Sequence, residues 1–420
     1  MNSLPSSVNY GEVLPSLPEN ATRYSVALNP TNGSVFPAAS QIQFQFPNRG
    51  YLIPDSVYLR YNVSTIISVG GATMLGTPFY TPIQRLETQF GSVTVDSINN
   101  YNQVCNMLTN GTMDWAQKYG NYINLGFSGS GTVTTEEMDS RVIAASATLA
   151  SFSVAGPIPC LLTNVVDKLI PLFAMPTVSM IFTLDALANM LLTSTAANVT
   201  TFNLTNVELC FDFIELGSEV DAMVRGMGDK IYIKSQSFSN SAAGIPIGTS
   251  GSQSYIFNQR YASVKAAIVL FSGGLNKLFD SVDYSNSTGS ISLNVSGVQY
   301  PQKPYSMVNN KAAMLVEFKK VMGSVYDRVN NVAINKVEFE ITEASTAHTS
   351  FTPAKFYVGF NLQKLNSNAL LTGISTNNSN ITVNTESTYL TTITRQCNLI
   401  LAYDALIEID MVNKQSSVKV

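Results

Sequence analysis

Two stretches of the chain, 207 residues apart, repeat one strand pattern. Residues 261–271 read YASVKAAIVLF, a short run rich in β-branched and aliphatic residues that Gly273 and Gly274 follow. Its length, composition and glycine stop predict a buried β-strand rather than a helix. Residues 56–63, SVYLRYNV, share the Ser-Val dipeptide and also carry one basic residue within an apolar run. If neighbouring segments repeat in the same order, the chain must fold as two similar units.

Four further pairs of segments do repeat in order, at offsets between 178 and 207 residues. They are YSVAL (24–28) with IYIKS (231–235), LETQFGSVTV (86–95) with ISLNVSGVQY (291–300), IFTLDALANMLLT (181–193) with GFNLQKLNSNALLT (359–372), and Phe202–Cys210 with Tyr389–Cys397. This order predicts a tandem duplication. Because the offset drops from 206 to 178 after the second pair, we expect an irregular insertion of about 28 residues in the first half.

One helix is expected in each half, because apolar residues recur there at spacings of three and four. They are Ile98, Tyr101, Val104 and Leu108 in the first half, and Val308, Ala312, Leu315, Phe318 and Met322 in the second. We expect Asp96 or Ser97 to cap the first helix and Ser306 the second, with Asn110-Gly111 and Gly323 ending them. Helices do not alternate with strands elsewhere, which favours antiparallel sandwiches over βαβ units. We expect two such β-rich domains, joined near residues 217–229.

The chain of 420 residues is long enough for two domains and carries few charges. Charged residues make up 12% of it, against about 25% in typical proteins, and the net charge is −4. Arg23 is the first basic residue, and no basic arm precedes it. Direct, tight binding of nucleic acid is therefore not expected, because phosphate neutralisation needs clustered Lys and Arg. A sparsely charged surface suits contacts between copies of one chain.

Four widely spaced cysteines are predicted to be buried free thiols, since a disulfide framework needs denser cysteines. They are Cys105, Cys160, Cys210 and Cys397. The amino-terminal twenty residues lack an apolar core, so no signal peptide is expected. The uncharged run Val142–Val166 has the length of a membrane span, but its Ser, Thr and Pro content predicts a loop followed by a strand instead.

Groups that carry catalysis are scarce in this sequence. The single histidine, His348, excludes triads and zinc sites that need several such groups, and a loop residue is expected there. The glycines of GFSGSG (126–131) are not in the dinucleotide-binding order. Glu136, Glu137 and Asp139 form one weak candidate for a calcium site, although a solvated loop tip is preferred without EF-hand spacing. We predict no catalytic residue and no cofactor; a glycosidase with paired carboxylates is a remote alternative.

The repeated segments resemble double jelly-roll major capsid proteins, the family that coats tailless phages, adenoviruses, virophages and polinton-like viruses. DKIYIKSQSF (229–238) with SQSYIFNQRYASVKAAIVLF (252–271) is similar to the opening strands of their second jelly roll. AKFYVGFNLQKL (354–365) is similar to a later strand. The resemblance covers most of the chain from Tyr24 onward, through pattern and order rather than an invariant motif.

The resemblance implies an all-β fold of two tandem eight-stranded antiparallel jelly-roll sandwiches, each with a short helix insertion. The expected domains are an amino-terminal arm (1–22), a first roll (23–222) with a long loop insertion at about 112–159, and a second roll (223–420). The insertion would lie on the outer surface or at trimer contacts.

The resemblance also implies a function and partners. Homotrimers would tile an icosahedral capsid, with penton and minor capsid proteins as partners, and the virion shell would enclose the genome or a membrane around it. Arg60 and Lys265 would be rim or interface residues. The residues leave an alternative open, a cell-surface or secreted β-sandwich adhesin or carbohydrate-binding protein, because Tyr and Asn suit sugar stacking.

Overall fold

The structure, a computed structural model, is mostly β-strand. It describes residues 21–127, 141–144, 146–165, 168–193, 198–226, 228–273, 279–283, 289–325, 332, 334–340, 354–364, 371–387, 391 and 394–420. No helix within these ranges combines the length and the apolar character that crossing a membrane requires.

The first half of the chain forms fourteen strands within the described residues. They are β1 (Thr22–Leu28), β2 (Val35–Pro37), β3 (Gln41–Gln45), β4 (Tyr51–Leu52), β5 (Tyr58–Val69), β6 (Ala72–Met74), β7 (Ile83–Phe90), β8 (Val93–Asn99), β9 (Arg141–Ile143), β10 (Ser146–Pro157), β11 (Ile170–Pro171), β12 (Val178–Leu184), β13 (Leu191–Thr193) and β14 (Asn198–Glu215).

The second half adds nine described strands. They are β15 (Lys230–Ile245), β16 (Gly251–Phe257), β17 (Val264–Gly273), β18 (Gly289–Val295), β19 (Val298–Ser306), β20 (Tyr357–Asn361), β21 (Ile381–Ser387), β22 (Arg395–Asp410) and β23 (Gln415–Lys419). The helices are α1 (Tyr101–Thr112), α2 (Trp115–Gly120), α3 (Tyr122–Leu125), α4 (Leu187–Met190), α5 (Ser218–Gly226), α6 (Lys311–Val325) and α7 (Lys336–Phe339).

Eight strands in each half form a jelly roll, and both rolls have the same antiparallel topology. In the first roll the two sheets have the orders β1-β14-β5-β10 and β3-β12-β7-β8. In the second roll they have the orders β15-β22-β17-β20 and β16-β21-β18-β19. Numbered along the chain, the eight strands of each roll pair as 1-8-3-6 and 2-7-4-5. The predicted fold of two tandem jelly-roll sandwiches is confirmed.

Several repeated segments occupy equivalent strands, as predicted. SVYLRYNV opens β5, and β17 contains most of YASVKAAIVLF; both are the third strand of their roll, and all ten residues of β17 are buried. YSVAL and IYIKS lie in the first strands, β1 and β15. Gly91 and Gly297 form the turns of the equivalent hairpins β7–β8 and β18–β19, with φ angles of 62° and 79° that favour glycine.

The third pair of segments was aligned wrongly. Phe182 lies in β12, which pairs with β3 and β7, whereas Phe360 lies in β20, which pairs with β17 at a sheet edge. The true counterparts are β12 with β21, and β10 with β20. Cys210 and Cys397 do lie in equivalent strands, but Cys210 pairs with Tyr58 and Cys397 with Phe271, near opposite ends.

The inference of an irregular insertion in the first half fails with that alignment. Thr112 and Ser146 are separated by 33 residues, and Val325 and Tyr357 by 31, so these connections differ by only two residues. The described part of residues 112–159 contains α2, α3, β9 and β10, and β10 is a core strand. In the described part of the run Val142–Val166, strands β9 and β10 come first and a loop follows Pro157, so the predicted order of a loop and then a strand is wrong.

Both predicted helices exist, but their caps were predicted wrongly. Asp96, Ser97 and Ile98 belong to β8, and α1 follows Asn100, whose φ angle is 46°. Ser306 ends β19, and Gly323 lies inside α6 rather than after it. Strand β8 extends to Asn99, and buried and less buried side chains alternate in its second half, where Asp96 and Ile98 are buried.

One cluster of buried apolar side chains extends through both rolls. The four cysteines are buried and free, as predicted. Burial raises the pKa of the Cys105 thiol well above its usual value and that of Cys160 to about 11, which keeps both thiols protonated and unreactive.

Helix α6 packs closely on β20 because a glycine faces it. A Cβ atom at Gly359 would lie 2.9 Å from Cα of Phe318 and 3.0 Å from Cγ2 of Val321. The Phe318 ring lies 5.4 Å from the ring of Tyr357, two residues before the glycine in the same strand. Since the nearest atom belongs to the backbone, a side chain at this position would displace the helix.

We predict that Gly359→Ala lowers the free energy of unfolding by about 1–3 kcal/mol, the usual cost of overpacking. Urea unfolding followed by circular dichroism measures the change. Gly244→Ala is the matched control, because a Cβ there meets nothing within 4 Å and its strand is exposed at that point. Equal unfolding midpoints for the two variants would contradict the close packing of α6.

Candidate functional site

Helix α1 is the element that joins the two rolls, and its residues from Tyr101 to Gly111 are all buried. On the side of its own roll, Asn102 Nδ2 donates to Asp185 Oδ2 at 2.9 Å. Asn106 Oδ1 accepts from the backbone N–H of Thr77 at 3.1 Å. These hydrogen bonds satisfy polar side chains that would otherwise be costly to bury.

The other side of α1 contacts the second roll. Asn240 Nδ2 in β15 donates to Gln103 Oε1 at 2.8 Å, and Asn110 Nδ2 donates to Tyr357 Oη in β20 at 3.2 Å. Gly111 faces α6, where a Cβ atom would lie 2.7 Å from Sδ of Met322. Helix α1 is therefore bound to the second roll by side-chain hydrogen bonds, and at Gly111 it packs closely against α6.

The carboxyl group of Asp96 in β8 accepts three hydrogen bonds from different parts of the fold. Its Oδ2 accepts from Ser237 Oγ at 2.7 Å and from the backbone N–H of Leu161 at 3.3 Å. Its Oδ1 accepts from Tyr403 Oη at 3.1 Å. Ser237 lies in β15 and Tyr403 in β22, so the carboxyl group of the first roll is bound to two strands of the second.

Burial and hydrogen bonding act in opposite directions on the pKa of Asp96. Loss of hydration raises the pKa of this carboxyl above its ordinary value, while the hydrogen bonds from Ser237, Leu161 and Tyr403 act in the opposite direction. The net direction is upward, since the carboxyl is fully buried between the rolls. A buried carboxylate without these donors would be strongly unfavourable.

The loop after β10 completes the contact between the rolls. The Leu161 carbonyl accepts from the Ser235 hydroxyl, and Asn164 Nδ2 donates to the Gln236 carbonyl at 3.1 Å. Lys265 lies beside this contact, buried, with Nζ 3.0 Å from Gln236 Oε1. The expectation that Lys265 is a rim or interface residue stays a prediction, since its hydrogen bond to Gln236 lies within the second roll.

Arg60 lies instead on an exposed sheet face of the first roll. Its guanidinium lies 2.5 Å from Glu208 Oε2 across the β5–β14 pair. A cavity of about 610 Å³ opens beside this ion pair. Its lining combines the loop after β1 with strands β5, β10 and β14 and with α3; Asn62, Ser153 and Asn206 belong to it.

The structure does not test the residues singled out for chemistry. Glu136, Glu137, Asp139 and His348 lie outside the described residues. Among the residues that are described, no group of three His, Cys, Asp or Glu side chains could hold a metal ion. Gly126 is a packing position, because a Cβ there would lie 2.4 Å from Cγ1 of Val154.

Asp96 was predicted to cap a helix, and its contact with the second roll was not predicted. The sequence does place Asp96 two residues before the apolar Ile98, so in a strand both side chains lie on the same, buried face. A buried carboxyl group needs hydrogen-bond partners. The partners lie 141 and 307 residues away along the chain, and no local pattern identifies them.

We predict that the Tm of Asp96→Asn relative to that of the wild type increases as pH rises. Because the native pKa of Asp96 is raised, this group favours the folded state fully below its unfolded pKa of about 4, and the contribution is lost as pH rises through the native pKa. Thermal unfolding across a pH series gives the difference in Tm between variant and wild type at each pH.

Two further variants test the same site. Asp55→Asn, at an exposed aspartate, is the matched control for the substitution itself. Asp96→Ala should lower the free energy of unfolding by about 2–4 kcal/mol at every pH, because it leaves buried donors without an acceptor. A difference between Asp96→Asn and wild type that is constant with pH would refute the raised pKa.

No family model matches the sequence, and no curated protein matches it. Solved structures do match it in fold. A PBCV-1 virus capsid structure superposes with a TM-score of 0.64 at 12% identity, covering 97% of this chain and 99% of that one. The Faustovirus major capsid protein gives 0.63 at 8% identity, covering 96% and 92%. The mavirus major capsid protein gives 0.57 at 12% identity, covering 100% and 95%. The chain thus has, over nearly its whole length, the double jelly-roll fold of these viral capsid proteins.

Proposed function

We propose that this protein is a viral major capsid protein, a non-enzymatic shell component that acts by self-assembly. The observation that carries the proposal is the match in fold over nearly the full length of both chains, both rolls included, to viral capsid structures. A shared single sandwich would be weak support, because sandwiches serve many functions. Two rolls in the same order are a more specific arrangement.

The oligomer that we propose is a homotrimer. Two rolls of equal topology give each copy two similar wedges, and three copies about a threefold axis present six. Such a pseudo-hexagonal unit can tile an icosahedral shell with few kinds of contact. The low charged fraction of 12% favours such tiling, because it limits repulsion between identical surfaces.

Partners and location follow from the same proposal. The protein would reside in the virion capsid, assembled in the host cell, beside penton and minor capsid proteins. Its net charge of −4 supports a shell that encloses the genome, or a membrane around it, without binding nucleic acid tightly. We also propose the division into an arm (1–22), a first roll (23–222) and a second roll (223–420), with the boundary inside α5.

We predict that the purified protein has three times the chain mass of 45.5 kDa in solution, and that the mass resists dilution. Light scattering coupled to size exclusion measures it, and electron microscopy at high protein concentration should show hexagonal arrays. A stable 45.5 kDa monomer at high concentration would overturn the capsid proposal.

A further inference from the structure

We propose that the cavity of about 610 Å³ on the first roll binds a neutral saccharide. This binding function is separate from shell assembly, because a single chain supplies every residue of the lining. The volume lies within the range of about 300–1,000 Å³ that is usual for ligand sites.

The cavity lies over the side of three neighbouring strands that points away from the core. Asn62 in β5 pairs with Ser153 in β10 on one side and with Thr205 in β14 on the other. Since Tyr61 and Val63 are buried, the side chain of Asn62 between them points outward. The loop after β1 and helix α3 complete the lining, so five separate parts of the chain build the site.

A β-bulge in β14 directs one more asparagine into the cavity. The register between β14 and β5 shifts between Thr205 and Glu208, which leaves two residues of β14 opposite one of β5. Val207 is buried, whereas Asn206 is exposed, has a φ angle of 49° and lines the cavity. Asparagine adopts this left-handed conformation more readily than most residues, and bulges commonly redirect side chains at functional sites.

Six polar side chains of the lining have no hydrogen-bond partner among the described residues. They are the carboxamides of Asn29, Asn62, Asn124 and Asn206 and the hydroxyls of Ser34 and Ser153. Each carboxamide offers two N–H donors and an accepting oxygen, and each hydroxyl both donates and accepts. Sugar hydroxyl groups also donate and accept, so they can replace the water on these side chains with direct hydrogen bonds.

The charges of the lining favour a neutral ligand over an anion. Arg60 and Glu208 are its charged residues, and the guanidinium lies 2.5 Å from the carboxylate, so each charge compensates the other. A phosphate or carboxylate would need a cation that is not already paired. Ile123 in α3 is 77% exposed and offers an apolar surface to the C–H groups of a sugar ring.

The same geometry disfavours a peptide as the ligand. The backbone of β5 is already paired on both sides, with β10 and β14, so an extended peptide cannot add a strand there. Among the described residues of the lining, Ile123 is the one large apolar side chain that is exposed. A peptide would therefore find neither strand pairing nor apolar pockets for its side chains.

Binding of the fluorescently labelled full-length protein to an array of neutral and anionic glycans tests the ligand class. We expect signal on neutral glycans. Isothermal titration calorimetry with the best-bound neutral glycan in free form then gives its Kd, and titrations with inorganic phosphate and with tetraglycine should show no binding.

Substitutions in the cavity test its location. Ser153→Trp should abolish binding, because the indole fills the cavity. Asn62→Ala and Asn124→Ala each remove one carboxamide and should raise the Kd about three- to tenfold, the effect of losing one hydrogen bond. Ser417→Trp and Asn378→Ala are the matched controls, at exposed or half-exposed positions outside the cavity, and should keep the wild-type Kd. Far-UV circular dichroism verifies that each variant is folded.

The outcomes separate this inference from the proposed function. An array without signal on neutral glycans, or a Kd that Ser153→Trp, Asn62→Ala and Asn124→Ala leave unchanged, overturns the saccharide site. Binding only to anionic glycans, phosphate or tetraglycine overturns the assignment of a neutral saccharide. A monomeric wild type that binds neutral glycans in this cavity overturns the capsid proposal and supports the saccharide site.

Discussion

Burial of a polar helix between two sandwiches is the constraint on which the arrangement of this molecule depends. Helix α1 has no exposed side, so its amide side chains must be satisfied by the roll that carries it and by the roll it contacts. Asp96 adds a carboxyl group whose donors, Ser237 and Tyr403, come from the second roll. Because such groups are costly to leave unpaired, the relative position of the two rolls is specified by hydrogen bonds as well as by apolar burial.

Equal topology does not mean equal environment. The two rolls pair their strands in the same order, yet β17 is buried along its whole length and β5 presents alternate residues to solvent. The difference arises because α6 of the second roll packs over the outer side of its own sheet at Gly359, whereas Tyr58 on β5 of the first roll remains exposed.

Sequence patterns located the elements better than they located the partners of those elements. The buried strand β17 was predicted correctly because the length, composition and glycine stop of a strand are local properties. The alignment of Phe182 with Phe360 was wrong because both lie in short apolar strands followed by Leu-Leu-Thr, although β12 and β20 belong to different sheets. The false insertion was a consequence of this pairing error.

The sequence by itself determined that the chain is built from two similar sets of alternating strands, has few charges and keeps its cysteines buried. Alternation, turn residues and composition act over a few positions, so they can be read from a single chain. Only the tertiary structure decided that Asp96 binds the second roll instead of capping α1, and that β10 rather than β12 corresponds to β20. Those facts depend on contacts between residues up to 307 positions apart, and local pattern carries no information about such partners.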